Sequence, residues 1–335
     1  MSKTSTYDAE WLEVEKALGS RPCFLGDVSE IRTQFAASGK RLRPLYPKSN
    51  PIVAHDAKIN ARLKVRIYKP QGQIGADVKP SKLPIGVYFH GGGFIMGDLD
   101  TEDADCRYFA QNTPCVVVSV DYRLAPEAEF RDILEDCVAG YEWSWENAAT
   151  LGGDQDLVFA IGESAGACLA LQVTNTLIDA GRKSKVQGVV VLCPITAHPT
   201  TIPERYRNIY SSYGDNAKNV PLVNKTVMET FIAAANLNPN NPSHFVTLSK
   251  NLREFPPTFI ITAEKDPLRD DGVLLETILL EEGVKVKRQH YDGFGHVFWI
   301  FPMLEKRNVL LRDATEGIKF VLGSMGRHRP DEQSI

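Results

Sequence analysis

The stretch LVFAIGESAG (residues 157–166) joins an apolar run to a turn of small residues. LVFAIG is apolar on both faces, as a strand buried between helices must be. SAGACLALQVTNTLIDAG (164–181), which opens inside the turn, carries a helical pattern. The pentapeptide GESAG between them matches G-x-S-x-G, the strand–turn–helix nucleophile elbow. A turn that sharp needs small neighbours on both sides of the serine. It lifts the Ser164 hydroxyl off the sheet and sets it at a helix N-terminus, where the dipole favours developing negative charge. The simpler role for Ser164 is an ordinary helix N-cap, a position serine favours.

Outward from this stretch the alternation repeats. Apolar runs at 61–68, 84–90, 115–122, 186–194, 256–263 and 284–291 read as further strands. Helical patterns separate them at 101–112, 127–147 and 268–283. Regular strand–helix alternation predicts an α/β fold with a doubly wound, mostly parallel sheet. Two segments break the rhythm. Residues 1–45 carry two amphipathic helix patterns, and 196–250 is too long for a simple connection. The expected organisation is a core of 46–195 and 251–335, with 1–45 and the 196–250 insertion forming a helical cap over the carboxyl ends of the strands, where open α/β sheets bind ligands.

A serine hydroxyl is a poor nucleophile without a base. The chain order for this elbow is Ser, then Asp or Glu, then His. Five histidines follow Ser164: His198, His244, His290, His296 and His328. His198 and His244 fall in the insertion, His290 ends an alternating strand, and His328 lies in a polar tail. His296, in the glycine-bounded YDGFGHVF just past the last strand, is expected at the same sheet edge as Ser164. A surface or turn residue is its plainer alternative. The acid is expected after the preceding strand, in TAEKDPLRDDG, where Asp266 comes at the strand end. It would hold the His296 tautomer and stabilise the imidazolium. Its alternative role is capping the helix that begins at Pro267. Glu264, Asp270 and Asp271 compete for the same assignment; the last two are expected on the helix, pointing elsewhere.

HGGGFIMGDLD (90–100) follows the apolar PIGVYF. Acyl transfer through a serine creates an oxyanion, which preorganised backbone N–H groups stabilise. Glycines let a loop approach substrate with bare amides, so the donors are expected at Gly92, Gly93 and Ala165. A flexible turn or a phosphate loop is the alternative, but neither G-x-G-x-x-G nor GxxxxGK[ST] is present.

The net charge of −4 gives no footprint for nucleic acid or an anionic membrane. With 43% hydrophobic residues in 335, the chain can bury a large core. Six scattered cysteines without a CxxC pair point to reduced thiols, and the polar N-terminus lacks the apolar segment of a signal peptide; a cytoplasmic protein is expected. No run approaches the ~20 apolar residues of a membrane span. No metal-binding motif appears, so no metal is expected.

HGGGF, DYRLAPE (121–127), GESAG, DPLRDDG (266–272) and GFGH (293–296), standing in that order, resemble the hormone-sensitive-lipase-like branch of the α/β-hydrolases. The resemblance implies an eight-stranded sheet, a helical cap and hydrolysis of a small or medium carboxylic ester without a cofactor. It implies Ser164 as nucleophile, His296 as base, Asp266 as acid and Gly92, Gly93 and Ala165 as oxyanion donors. His90, Gly91 and Glu163 would support them, Glu163 as a buried, hydrogen-bonded residue, and Asp121, Tyr122 and Arg123 would be scaffold. It also implies a short acyl group; a likeness to esterases of fungal secondary metabolism extends this to an acetyl ester. Members often pair through edge strands, which leaves a homodimer open. The rivals are a non-hydrolytic enzyme (dehydratase or acyltransferase) using the same parts, and a receptor-like binding module, against which the retained His296 argues.

Overall fold

The computed structural model describes residues 6–47, 51–70 and 82–323. His328 lies outside the described residues. In chain order the elements are α1 (Ala9–Leu18), α2 (Val28–Leu42), β1 (Ile52–Lys58), β2 (Lys64–Pro70), β3 (Leu83–Phe89), α3 (Asp103–Asn112), β4 (Val116–Asp121), α4 (Phe130–Glu146), the single turn α5 (Ala148–Leu151), β5 (Gly153–Glu163), α6 (Ala165–Asp179) and β6 (Val189–Leu192). Then come the short α7 (Ser212–Asp215), α8 (Lys225–Ala234), β7 (Thr258–Lys265), α9 (Arg269–Glu281), β8 (Val286–Gly295) and α10 (Glu305–Gly323).

The eight strands form one sheet in the order β1-β2-β4-β3-β5-β6-β7-β8. β1 and β2 pair antiparallel, as do β2 and β4; from β4 to β8 every pairing is parallel. The architecture is that of an α/β-hydrolase, as the alternation predicts. The parallel strands VVVSVD, LVFAIG and VVVL are buried along almost their whole length, because helices cover both faces. β1 is the strand that the apolar pattern does not mark. Its sequence, IVAHDAK, is largely exposed at the sheet edge, so it carries no apolar run to read.

Register decides what meets at the carboxyl edge. Phe89 pairs with Gly162, Glu163 with Leu192, and Lys265 with Gly295. The next residues along these strands are therefore neighbours: His90 beside Glu163, Ser164 beside Cys193, and Asp266 beside His296. The Ser164 N–H continues the ladder, donating to the Leu192 carbonyl at 2.8 Å.

The N-terminal helices are fastened over this edge. Asp27 and Glu30 close a capping box at the start of α2. Arg32 on α2 donates to the carbonyls of Ile95 (2.6 Å) and Ala125 (2.8 Å) and forks onto Glu127. The Asp8 N–H donates to the Gly293 carbonyl, and the Glu10 carboxylate accepts from the first amides of α10, Glu305 and Lys306. Leu222, in the insertion, exchanges main-chain hydrogen bonds with Pro22 and Phe24 (2.7 and 2.9 Å). No helix among the described residues is long and apolar enough to cross a membrane. All six cysteines are free, and five of them are buried.

Candidate active site

Ser164 sits between β5 and α6 with φ 52° and ψ −118°. A non-glycine residue holds that left-handed conformation only when its surroundings impose it. Here the imposition is close packing. A Cβ on Gly162 would lie 2.3 Å from the Gly166 carbonyl oxygen, and one on Gly166 would lie 2.0 Å from that of Phe89. Glycine at both places is the condition for the turn. The Ser164 side chain makes no capping hydrogen bond to α6. Its hydroxyl lies 2.8 Å from His296 Nε2.

His296 Nδ1 lies 2.7 Å from Asp266 Oδ2. With the imidazole proton on Nδ1, that nitrogen donates to the carboxylate and Nε2 is left to accept from the serine. Asp266 does not cap the helix, which begins at Arg269 rather than Pro267 and has Leu268 as its N-cap with no side-chain cap; its Oδ1 instead accepts from the Leu268 N–H at 2.8 Å in the turn before α9. Ser164, Asp266 and His296 are all buried, at 4%, 0% and 1% exposure. Of the competing acids, Glu264 accepts from the Gly293 N–H at 2.7 Å. Asp270 accepts from the Ser211 and Ser212 amides (2.7 Å each). Asp271 accepts from the Thr196 and Ala197 amides (2.8 and 3.0 Å) and the Tyr210 hydroxyl (2.7 Å). Burial pushes the Asp271 carboxyl up to about 7. Asp270 and Asp271 thus lie on α9 and face the insertion. The other histidines lie apart from this set: His290 contacts Thr262, His198 caps a short turn, and His244 accepts from Asn238.

The glycine loop follows β3. Gly92 and Gly93 have φ of +114° and +60°. A Cβ on Gly92 would strike the Met96 carbonyl at 2.1 Å, and one on Gly93 would meet the Phe231 ring of α8 at 2.4 Å. Among the described residues no backbone carbonyl accepts from the amides of Gly92, Gly93 or Ala165. His90 is buried, its ring stacked on Tyr122 at 4.1 Å, and its Nδ1 lies 2.8 Å from the Gly91 carbonyl. Burial lowers its pKa to about 4, so it is a neutral spacer. Tyr122 donates to the His90 carbonyl (2.6 Å), and Arg123 forks onto Asp136. Glu163 points away from the serine, accepting from Trp299 Nε1 at 2.7 Å.

Two residues at the site escape a reading of the sequence. Trp299 meets Glu163 across a long stretch of chain, and no spacing rule links them. Cys193, at φ 47°, follows β6; its sulfur and the ligand atoms of Asp266 and His296 lie within 4.8 Å of one another. Two of those three groups are already hydrogen-bonded together, so a metal there would have to break the His296–Asp266 contact. Of the aromatic and apolar insertion residues, Tyr206 bonds Glu281, Tyr210 bonds Asp271, and Val227, Met228 and Phe231 are buried.

Comparison with known proteins agrees with this fold. Residues 86–300 match a family described as alpha/beta hydrolase fold. The chain is 37% identical over 322 residues to the versiconal hemiacetal acetate esterase of Dothistroma septosporum, covering 95% of this chain and 96% of that one. The crystal structure of vibralactone cyclase superposes with a TM-score of 0.85 at 26% identity, over 97% of both chains. A hyperthermophilic esterase from Pyrobaculum calidifontis superposes with a TM-score of 0.79 at 31% identity, over 94% of this chain and 98% of that one. A chain with this sheet and these relatives belongs to the α/β-hydrolase fold family, in its hormone-sensitive-lipase-like branch, as an esterase-type carboxylic-ester hydrolase.

Proposed function

We propose that this protein hydrolyses a short-acyl carboxylic ester, an acetyl ester of a larger alcohol, through a covalent acyl-serine. The observation that carries the reading is the unbroken hydrogen-bond chain Ser164–His296–Asp266, at 2.8 and 2.7 Å, beside a loop of bare glycine amides. His296 Nε2 takes the Ser164 proton as the oxygen attacks the ester carbonyl. Asp266 holds the imidazole and stabilises its charged form. The Gly92, Gly93 and Ala165 amides receive the oxyanion. His296 then protonates the leaving alcohol, and water releases the acid by the reverse steps. The N-terminal helices and residues 196–250 act as the cap that excludes bulk water, which the burial of all three side chains supports. Phe231, seated against Gly93, bounds the space beside the cradle and favours a small acyl group. The acetate esterase among the relatives supports the same substrate class.

A second reading, a non-hydrolytic fate of the acyl-enzyme, draws on the likeness to a cyclase. Here a hydroxyl or other acceptor replaces water in the last step. Hydrolysis of p-nitrophenyl esters from C2 to C12, with product analysis, separates the two. Free acid is expected, greatest at C2, with the rate reduced about 10⁶-fold in Ser164→Ala. Activity surviving that substitution would refute the mechanism.

A further inference from the structure

The proposed reaction divides its substrate in two. The acyl carbon must lie between Ser164 and the glycine cradle, where Phe231 meets Gly93. The leaving oxygen takes its proton from His296 Nε2, so the alcohol half extends along the histidine loop. A cleft of about 170 Å³ has that loop's continuation in its wall. It is walled by Leu18 at the end of α1, Pro22, Leu42 on α2, Leu222 of the insertion, and Ile300 and Phe301 after β8. A cavity of about 150 Å³ lined by leucine, isoleucine and phenylalanine accepts one benzene ring. The cleft thus has the size and the surface for a single six-membered ring.

Two contacts tie this cleft to the reacting groups. Trp299, the residue before Ile300, donates to Glu163, the residue before Ser164. Pro221, the residue before Leu222, covers Gly295, the residue before His296: a Cβ on that glycine would lie 2.5 Å from Pro221 Cγ. The walls are also fixed to one another. The Leu222 N–H donates to the Pro22 carbonyl at 2.7 Å, and the Tyr46 hydroxyl donates to the Ile300 carbonyl at 2.7 Å. The Phe301 ring stands edge-on to Trp11 of α1, 5.3 Å between centroids. A cleft braced in this way is shaped before a ligand arrives, which keeps the ordering cost of binding low.

Arg41, in the last turn of α2, is the one charged residue lining the cleft among the described residues. The other arginine of α2, Arg32, is committed to Glu127. Arg41 has no hydrogen-bond or ion-pair partner among the described residues, so its guanidinium fork is open at the rim of an apolar slot. That fork matches an anionic oxygen on the edge of a ring whose face lies against the apolar walls. We propose that the cleft binds the alcohol half of the ester and that Arg41 makes it selective for an alcohol built on a ring that carries an anionic oxygen. The proposal rests on the reading of Ser164 and His296 as the reacting pair and names the substrate class which that pair serves. A neutral ring fills the same walls but leaves the guanidinium in water, and so binds without this selection.

The acetates of 3- and 4-(hydroxymethyl)benzoate and of the matching benzamides keep the acetyl group constant and change only the charge on the ring. The better-fitting benzoate is expected to exceed its benzamide about tenfold in kcat/KM, mostly through KM, as one charge-assisted hydrogen bond allows. Arg41→Gln is expected to bring that ratio to about one, and Arg41→Glu to reverse it. Equal rates within both pairs in the parent, or a ratio that survives Arg41→Gln, overturn the selection by charge. Ser38→Trp, on the α2 side of the cleft, fills it and is expected to raise KM severalfold for the ring acetates relative to ethyl acetate. An unchanged relative KM overturns the cleft as the alcohol site. If Ser38→Trp does not fold, the substitutions of the exposed Arg41 still decide. A last measurement needs no turnover. Calorimetric titration of Ser164→Ala with the better-fitting (hydroxymethyl)benzoate is expected to show binding that Arg41→Gln weakens about tenfold. No binding, or binding that Arg41→Gln leaves unchanged, counts against the proposal. Hydrolysis that persists in Ser164→Ala is a failure of the catalytic reading alone and leaves the titration standing. Ser164-dependent hydrolysis without preference for the anion is a failure of this inference alone.

Discussion

The floor and the cover of this site are built differently. The floor is main chain: the residues at 90–93, 164, 193, 266 and 296 each follow a strand end, and pairing in the ladder fixes their order. The cover is held mainly by side chains. Asp270 and Asp271 grip the 196–212 segment, Asn216 donates to the Glu264 and Asp266 carbonyls at 3.0 and 2.9 Å, and Arg32 pins α2 to the glycine loop. A ladder shared by five parallel strands yields only as a whole, whereas each side-chain clamp opens by itself. On the proposed reading, rate belongs to the floor and access to the cover.

Three substitutions strain that division, in descending order of effect. Asp266→Asn is expected to lower kcat by about 10⁴-fold with the melting temperature little changed, because an amide favours the wrong imidazole tautomer. Steady-state kinetics alongside calorimetry checks it, and a loss confined to KM would break the comparison. Gly93→Ala drives a Cβ into the Phe231 ring at a φ of +60°. It is expected to displace one oxyanion donor and cost about 10²–10³ in kcat, with the oxyanion analogue of a phosphonate ester reacting correspondingly more slowly. Since that position touches floor and cover together, a change in KM alone would mean that Phe231 moves and the loop does not.

Asp271→Asn tests the cover by itself. Its buried carboxyl accepts three hydrogen bonds from the insertion, so about 1–3 kcal/mol of stability and a severalfold rise in KM are expected, with kcat nearly intact. The pH dependence has a definite sign. Because burial raises this carboxyl to about 7, its stabilising contribution is complete in acid and disappears as pH climbs from the ordinary aspartate range to that value. The deficit of the variant is therefore expected to be largest near pH 5 and to narrow by about pH 7.5 in thermal melts. A deficit that widens with pH would show the carboxylate to be the preferred form.

The same division explains what was legible beforehand. Ser164, Asp266, His296 and the glycine loop could be located because each directly follows an apolar strand and carries residues demanded by local geometry. Glycine flanks the serine because any Cβ there strikes backbone, and Asp266 precedes proline at a strand end. Contacts across the fold leave no such trace. Trp299, which bonds Glu163, stands in HVFWIF as one more aromatic, and Tyr210 in an insertion of aromatic residues with no period. β1 was invisible for a related reason, since an edge strand facing solvent has no need of an apolar run.

The pairing of Lys265 with Gly295 carries a last implication. Side chains along a strand alternate between opposite sides, so adding or deleting one residue inside β7 or β8 would turn Asp266 or His296 through half a revolution, away from its mate. Length changes in this part of the chain fit best in the turn between α9 and β8 or at the register shift, where the step from Ala263 to Lys265 already faces the longer step from Tyr291 to Gly295. The chemistry is thus phased by parity, and a descendant of this gene can lengthen its surface loops freely while the regular stretch of these two strands must keep its count.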